Sequence, residues 1–121
     1  MRKSILLTTV LAIFAVAFMS GAQAGILPTN LRFTVIDESG NVVKGASVTL
    51  YENEKDYLNE KNPIAMLKTD AKGRVTFKKL SPKAYYIMAK KGDKTNEGGG
   101  EKTFKLVSGR LNKINIVIQE S

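Results

Sequence analysis

Apolar and polar residues alternate in short stretches along most of the chain, a period of two that marks strands with one buried face. Leu31, Phe33 and Val35 alternate with Arg32 and Thr34, and Val48 and Leu50 with Thr49 and Tyr51. Val75 and Phe77 alternate with Arg74, Thr76 and Lys78. Tyr85, Ile87 and Ala89 share one face, as do Phe104 and Leu106, and Ile114, Ile116 and Ile118 line one side near the C-terminus. With residues 64–69 these stretches make about seven short strands, while helical periodicity is weak after residue 25. The expectation is an all-β chain folded as a seven-stranded Greek-key β-sandwich.

The connections carry their own signals. Asp37-Glu38-Ser39-Gly40 and Asp70-Ala71-Lys72-Gly73 place Asp first and Gly fourth. Asp can accept from the turn backbone and Gly tolerates a positive φ, so both read as type I turns with a following bulge. Neither has the alternating oxygen ligands or closing Glu of a calcium loop, so no metal site is expected. Residues 52–63 are strongly polar, and Tyr57 and Leu58 suggest a short helical turn lying over the sandwich edge. Residues 92–100 end in three glycines but lack the Lys-Ser/Thr and strand-to-helix setting of a phosphate loop, and read as a mobile tip.

The first 24 residues break this pattern. Arg2 and Lys3 precede an apolar run from Ile5 to Met19, followed by the small residues Ser20-Gly21-Ala22-Gln23-Ala24. That is the layout of a secretory signal peptide (1–24) cut after Ala24, leaving 25–121 as one domain. The run is shorter than the roughly 20 residues a membrane-spanning helix needs, so no span is expected in the mature chain. Cleavage would remove 24 of the 121 residues and, with Arg2 and Lys3, two of the eight net positive charges. The expected location is secreted or periplasmic. A chain without cysteine must then rest on its apolar core alone.

The stretch Thr69-Asp70-x-x-Gly73-x-x-x-Phe77-x-x-Leu80, then Pro82, Tyr85, Ile87, Ala89 and Lys90-Lys91-Gly92, resembles the carboxypeptidase regulatory-like family, a transthyretin-like or prealbumin-like β-sandwich. Val35-x-Asp37-x-x-Gly40, continued by Gly45-Ala46-x-Val48-x-Leu50, resembles its opening hairpin. The resemblance implies a corner at Pro82, with the Tyr85 ring buried and its hydroxyl on a backbone partner. Lys83 stands where the family usually has Gly. The pattern specifies a scaffold and no chemistry.

Composition narrows the chemistry. There is no His, Cys or Trp, so catalytic triads, cysteine nucleophiles and the usual zinc sites are excluded. The enzymes of this fold fall with them, because transthyretin-like hydrolases rely on histidines and intradiol dioxygenases hold iron with His and Tyr. A pilin-type Lys–Asn crosslink is not expected either, since Arg32 stands where a Lys is wanted and only Glu101 is near Asn112 or Asn115. No catalytic residue, metal ligand or cofactor is assigned. Lysines recur at Lys78, Lys79 and Lys83 and again at Lys90, Lys91 and Lys94. Lys78, Lys83, Lys90 and Lys91 are the candidate anion-binding residues, with an anionic polysaccharide or lipopolysaccharide as ligand. Nucleic acid is excluded as a partner by export and by the lack of stacking aromatics. The leading expectation is an exported, non-enzymatic binding or structural accessory module that meets an envelope protein through loops or an open sheet edge.

Overall fold

A computed structural model describes residues 26–120, so the expected signal peptide lies outside the described residues. The strands are β1 (Asn30–Asp37), β2 (Ser47–Tyr51), β3 (Ala65–Lys68), β4 (Arg74–Phe77), β5 (Tyr86–Lys91), β6 (Lys94–Thr95) and β7 (Leu111–Glu120), with helix α1 (Glu54–Asn59) between β2 and β3. They pair in the order β3-β2-β5-β6-β7-β1-β4. β4-β1-β7 forms one layer and β3-β2-β5-β6 the other, joined where Lys94 and Thr95 pair with Glu120 and Gln119. β1 runs antiparallel to β4 and parallel to β7 over eight register positions.

The alternation falls as the sequence expects. Leu31, Phe33 and Val35 from β1, Val48 and Leu50 from β2, Val75 and Phe77 from β4, Ile87 and Ala89 from β5, and Ile116 and Ile118 from β7 are buried between the layers. Phe33 and Phe77 meet edge to face with ring centroids 5.9 Å apart, a geometry the aromatic quadrupole favours.

Both Asp-x-x-Gly turns form. Asp37 Oδ1 accepts from the amides of Ser39 and Asn41, and Asp70 Oδ1 accepts from those of Lys72 and Arg74, at 2.8–3.0 Å. Each pattern closes with the Gly amide donating to the Asp carbonyl, and Gly40 and Gly73 both have positive φ. Only Gly73 is also packed closely: a Cβ there would lie 2.9 Å from the Val35 carbonyl oxygen and from Val42 Cβ. The corner behaves as expected too, with Tyr85 buried and its hydroxyl donating to the Ser81 carbonyl at 2.8 Å. The left-handed residue there is Lys79 (φ 57°), not Lys83, so a Cβ after Pro82 is accommodated without strain.

One strand is corrected. Residues 104–106 are not a strand, Phe104 is 54% exposed and Leu106 is buried. The sixth strand falls instead inside the 92–100 segment, which is paired between β5 and β7 rather than forming a free tip. The reason is Asn96, fully buried: its Oδ1 accepts from Ala89 N–H at 2.9 Å, and its Nδ2 donates to the carbonyls of Ile87 and Gly100. The edge of β5 is then finished by Glu101, whose carbonyl accepts from Ile87, and by Thr103, whose Oγ1 accepts from Tyr85 N–H. A side-chain amide with one acceptor and two donors thus replaces a length of regular ladder.

Candidate functional site

The four lysines singled out from sequence do not assemble. Lys83 is ion-paired with Glu52, and Lys90 with Glu60 at 3.5 Å. Lys83 precedes β5 while Lys90 and Lys91 close its far end, and the six residues of β5 alone span about 17 Å at about 3.4 Å per step. Lys78 is exposed just beyond β4. Lys90 and Lys91 are consecutive on a strand and point to opposite faces.

A different cationic cluster forms on the outer face of β4-β1-β7. Register places Arg32 beside Thr76 on one side and Lys113 on the other, and Thr34 between Arg74 and Asn115. These six face away from the core, because their strand neighbours are the buried residues. Adjacent strands lie about 4.8 Å apart and same-face positions about 7 Å apart, so three cations and three neutral hydrogen-bonding side chains share a compact tile. Lys72 extends it along an open cleft of 460 Å³ also lined by Arg32, Arg74, Thr76 and Asp70. Among the described residues, Arg32, Lys72, Arg74 and Lys113 make no ion pair; the three pairs found involve Lys83, Lys90 and Lys94. Asp70, the single acid lining the cleft, binds the Arg74 and Lys72 amides of its own turn, which hold its carboxyl below the usual value. Sequence reading missed this tile because Lys113 reaches Arg32 only through the parallel pairing of the first and last strands.

The outer face of the other layer is partly covered by α1. Asn53 caps α1 by accepting from Asp56 N–H at 2.9 Å, and Glu60 ends it in the left-handed conformation. The cap aims Tyr57 down onto the sheet, where its ring meets Tyr51 and Tyr86 with centroids 5.9 and 5.7 Å away. Its hydroxyl donates to Glu101 Oε2 at 2.8 Å. Burial, then the Glu101 carboxylate, push the Tyr57 pKa well above its ordinary value of 10.0. Leu58, by contrast, is 67% exposed. A groove of 330 Å³ beside the helix is lined by Thr49, Tyr51, Pro63, Met66, Met88 and Glu60 among others.

The residues of a pilin-type crosslink are not brought together. Arg32 faces outward, Glu101 takes the Tyr57 hydroxyl, and the buried Asn112 amide donates to the carbonyls of Asn30, Val107 and Arg110. Among the described residues, no three acidic side chains converge to hold a metal ion. No helix among them is long and apolar enough to cross a membrane.

Among the described residues two free edges remain, and they differ. β4 presents Arg74 and Thr76, whereas β3 exposes Met66 and Leu67, with Ile64 beside it.

Two sheets face to face, joined at β6 and locked at a tyrosine corner, define a prealbumin-like sandwich. Residues 29–107 match the family described as SpaA, prealbumin-like fold domain, and the chain belongs to that family. No curated protein matches the chain. Among solved structures it is similar to the Bacillus anthracis TIE protein, with a TM-score of 0.56 and 20% identity over 75% of this chain and 17% of that one. It is also similar to a streptococcal ancillary pilin, with a TM-score of 0.57 and 18% identity over 76% of this chain and 32% of that one. A 3-chlorocatechol 1,2-dioxygenase from Rhodococcus opacus 1CP shares the fold at a TM-score of 0.53 and 10% identity, over 79% of this chain and 62% of that one. The chain spans less than two thirds of each, and at these identities the likeness is one of fold.

Proposed function

We propose that this chain is an exported, non-enzymatic module that serves as a structural or accessory domain at the cell envelope and docks a larger protein through the β3 edge. The observation that carries this reading is the β3 edge itself. It presents unpaired backbone groups beside exposed Met66 and Leu67, whereas the other free edge, β4, presents Arg74 and Thr76. An extended segment of a partner could add as a further strand, with backbone hydrogen bonds supplying affinity and Ile64 and Met66 supplying contact. The occurrence of this fold in an ancillary pilin supports a surface accessory role. Export rests on the layout of residues 1–24. The Thr69–Gly92 signature supports a place beside the carboxypeptidase regulatory-like modules. Against the dioxygenase chemistry of one fold relative stands the lack of any histidine.

The test is affinity capture from an envelope extract, with a sandwich of equal charge as control. A partner retained by the protein, and lost with Ile64→Lys/Met66→Lys, is expected. Capture that does not differ from the control, or that survives the double substitution, overturns docking at β3.

A further inference from the structure

The outer face of β4-β1-β7 stands apart from the β3 edge, in the opposite layer. Its tile of Arg32, Thr34, Arg74, Thr76, Lys113 and Asn115 contains no acid and no aromatic ring. Every cation on it lacks an ion-pair partner among the described residues, while in the other layer Lys83, Lys90 and Lys94 pair with Glu52, Glu60 and Glu38. Among the described residues no element covers it, whereas α1 lies over the opposite face.

We infer that this face binds a linear acidic polysaccharide. The argument is complementarity. Arginine forks and a lysine ammonium meet carboxylate or sulfate groups, and Thr34, Thr76 and Asn115, placed between them, can exchange hydrogen bonds with sugar hydroxyls. Three strands make a surface about 10 Å across, open at both ends, which suits an extended polymer better than an enclosed small molecule. Nucleic acid is the poorer fit, because a strand lying here would find no ring on which to stack a base. An acidic peptide would use backbone groups, which a sheet offers at its edge and not on its face.

The experiment measures binding of the purified protein to polygalacturonate, with neutral dextran as blank and double-stranded DNA and inorganic polyphosphate as comparators. Two variants of equal charge change are compared, Arg32→Gln/Arg74→Gln/Lys113→Gln and Lys78→Gln/Lys90→Gln/Lys91→Gln. The protein is expected to bind polygalacturonate in a salt-sensitive way. The first triple should weaken it by about tenfold and the second by less than about threefold, as expected if the charges act locally rather than through net charge. Circular dichroism confirms the fold of both. Should the first triple fail to fold, Lys113→Gln alone, at an exposed position, is expected to give a smaller loss in the same direction. Binding no stronger than to dextran, equal losses in the two triples, or an unaffected Lys113→Gln would overturn the proposal. So would DNA or polyphosphate binding as tightly as polygalacturonate, which would make the face a general anion surface.

Discussion

The two layers of the sandwich are made in different ways. β4-β1-β7 is a regular ladder with a bare outer face, in which β1 alone pairs over eight positions with β7. β3-β2-β5-β6 is completed by side chains. Asn96 and Thr103 finish the edge of β5, and Tyr57 fastens a helix over the outer surface. The regular layer therefore keeps a free face, on which cations collect without partners. The improvised layer uses its polar and aromatic groups on itself, and three lysines on or beside it, Lys83, Lys90 and Lys94, are paired. Strand alternation sets which side chains point outward; single polar residues decide whether that outward face is closed.

Asn96→Ala is the most direct way to break this contrast. It would leave the Ala89 amide and the Ile87 carbonyl without their partner, in a site where Asn96 is 1% exposed. Buried groups stripped of a hydrogen bond cost about 1–3 kcal/mol each, so a loss of roughly 4 kcal/mol is expected by urea denaturation. Thr34→Ala, on the regular layer, is expected to change stability by less than about 0.5 kcal/mol. Similar costs for the two would mean that the layers are finished alike.

Tyr57→Ala comes next, with a loss of about 3 kcal/mol from removing a buried aromatic, read as a fall in Tm. Tyr57→Phe keeps the ring and loses only the bond to Glu101, a cost of about 1 kcal/mol. It also isolates a pH effect. The folded pKa of Tyr57 is raised by burial and by Glu101, so its contribution is complete below the unfolded value of about 10 and is lost as pH rises through the folded one. Above pH 10 the unmodified protein should lose Tm faster than Tyr57→Phe. Parallel profiles would show that the hydroxyl is not held as described.

Asn53→Ala should cost about 1 kcal/mol, the usual worth of an N-cap. In a helix of six residues the effect belongs to α1, so hydrogen exchange should speed up at Tyr57 and Glu60 while amides of β1 and β7 keep their protection.

Much of this molecule is legible in its sequence. The inward faces of β1, β2, β4, β5 and β7 and the two Asp-Gly turns follow from local pattern, because each rests on side-chain alternation or on turn chemistry within a few residues, while the Tyr85 corner is implied by the family resemblance. What is not legible depends on partners distant in the chain. Asn96 sits in a glycine-rich stretch that reads as a loop, and only the unfilled edge of β5 gives its amide three buried contacts. Phe104 and Leu106 alternate like a strand, yet one is exposed and one buried, and the segment is held only by single bonds such as that from the Leu106 amide to the Lys83 carbonyl. The lysines adjacent in sequence are separated by the length of β5, while Arg32, Arg74 and Lys113, scattered through the chain, are gathered by register. Alternation tells which way a residue faces and is silent about its neighbour on the next strand.

The smallest expected effect bears on the bare face. Arg32, Arg74 and Lys113 lie close together with only Asp70 beside Arg74 to offset them, so their mutual repulsion opposes folding weakly and is screened by salt. Replacing all three with glutamine keeps most of their aliphatic cover and removes that repulsion. Tm should stay within about 3 °C of the unmodified protein or rise slightly. Added salt should raise the Tm of the unmodified protein more than that of the variant. A clear fall in Tm would instead mean that these cations support the sheet. The contrast between a face left open and a face used for the protein's own closure would then no longer hold.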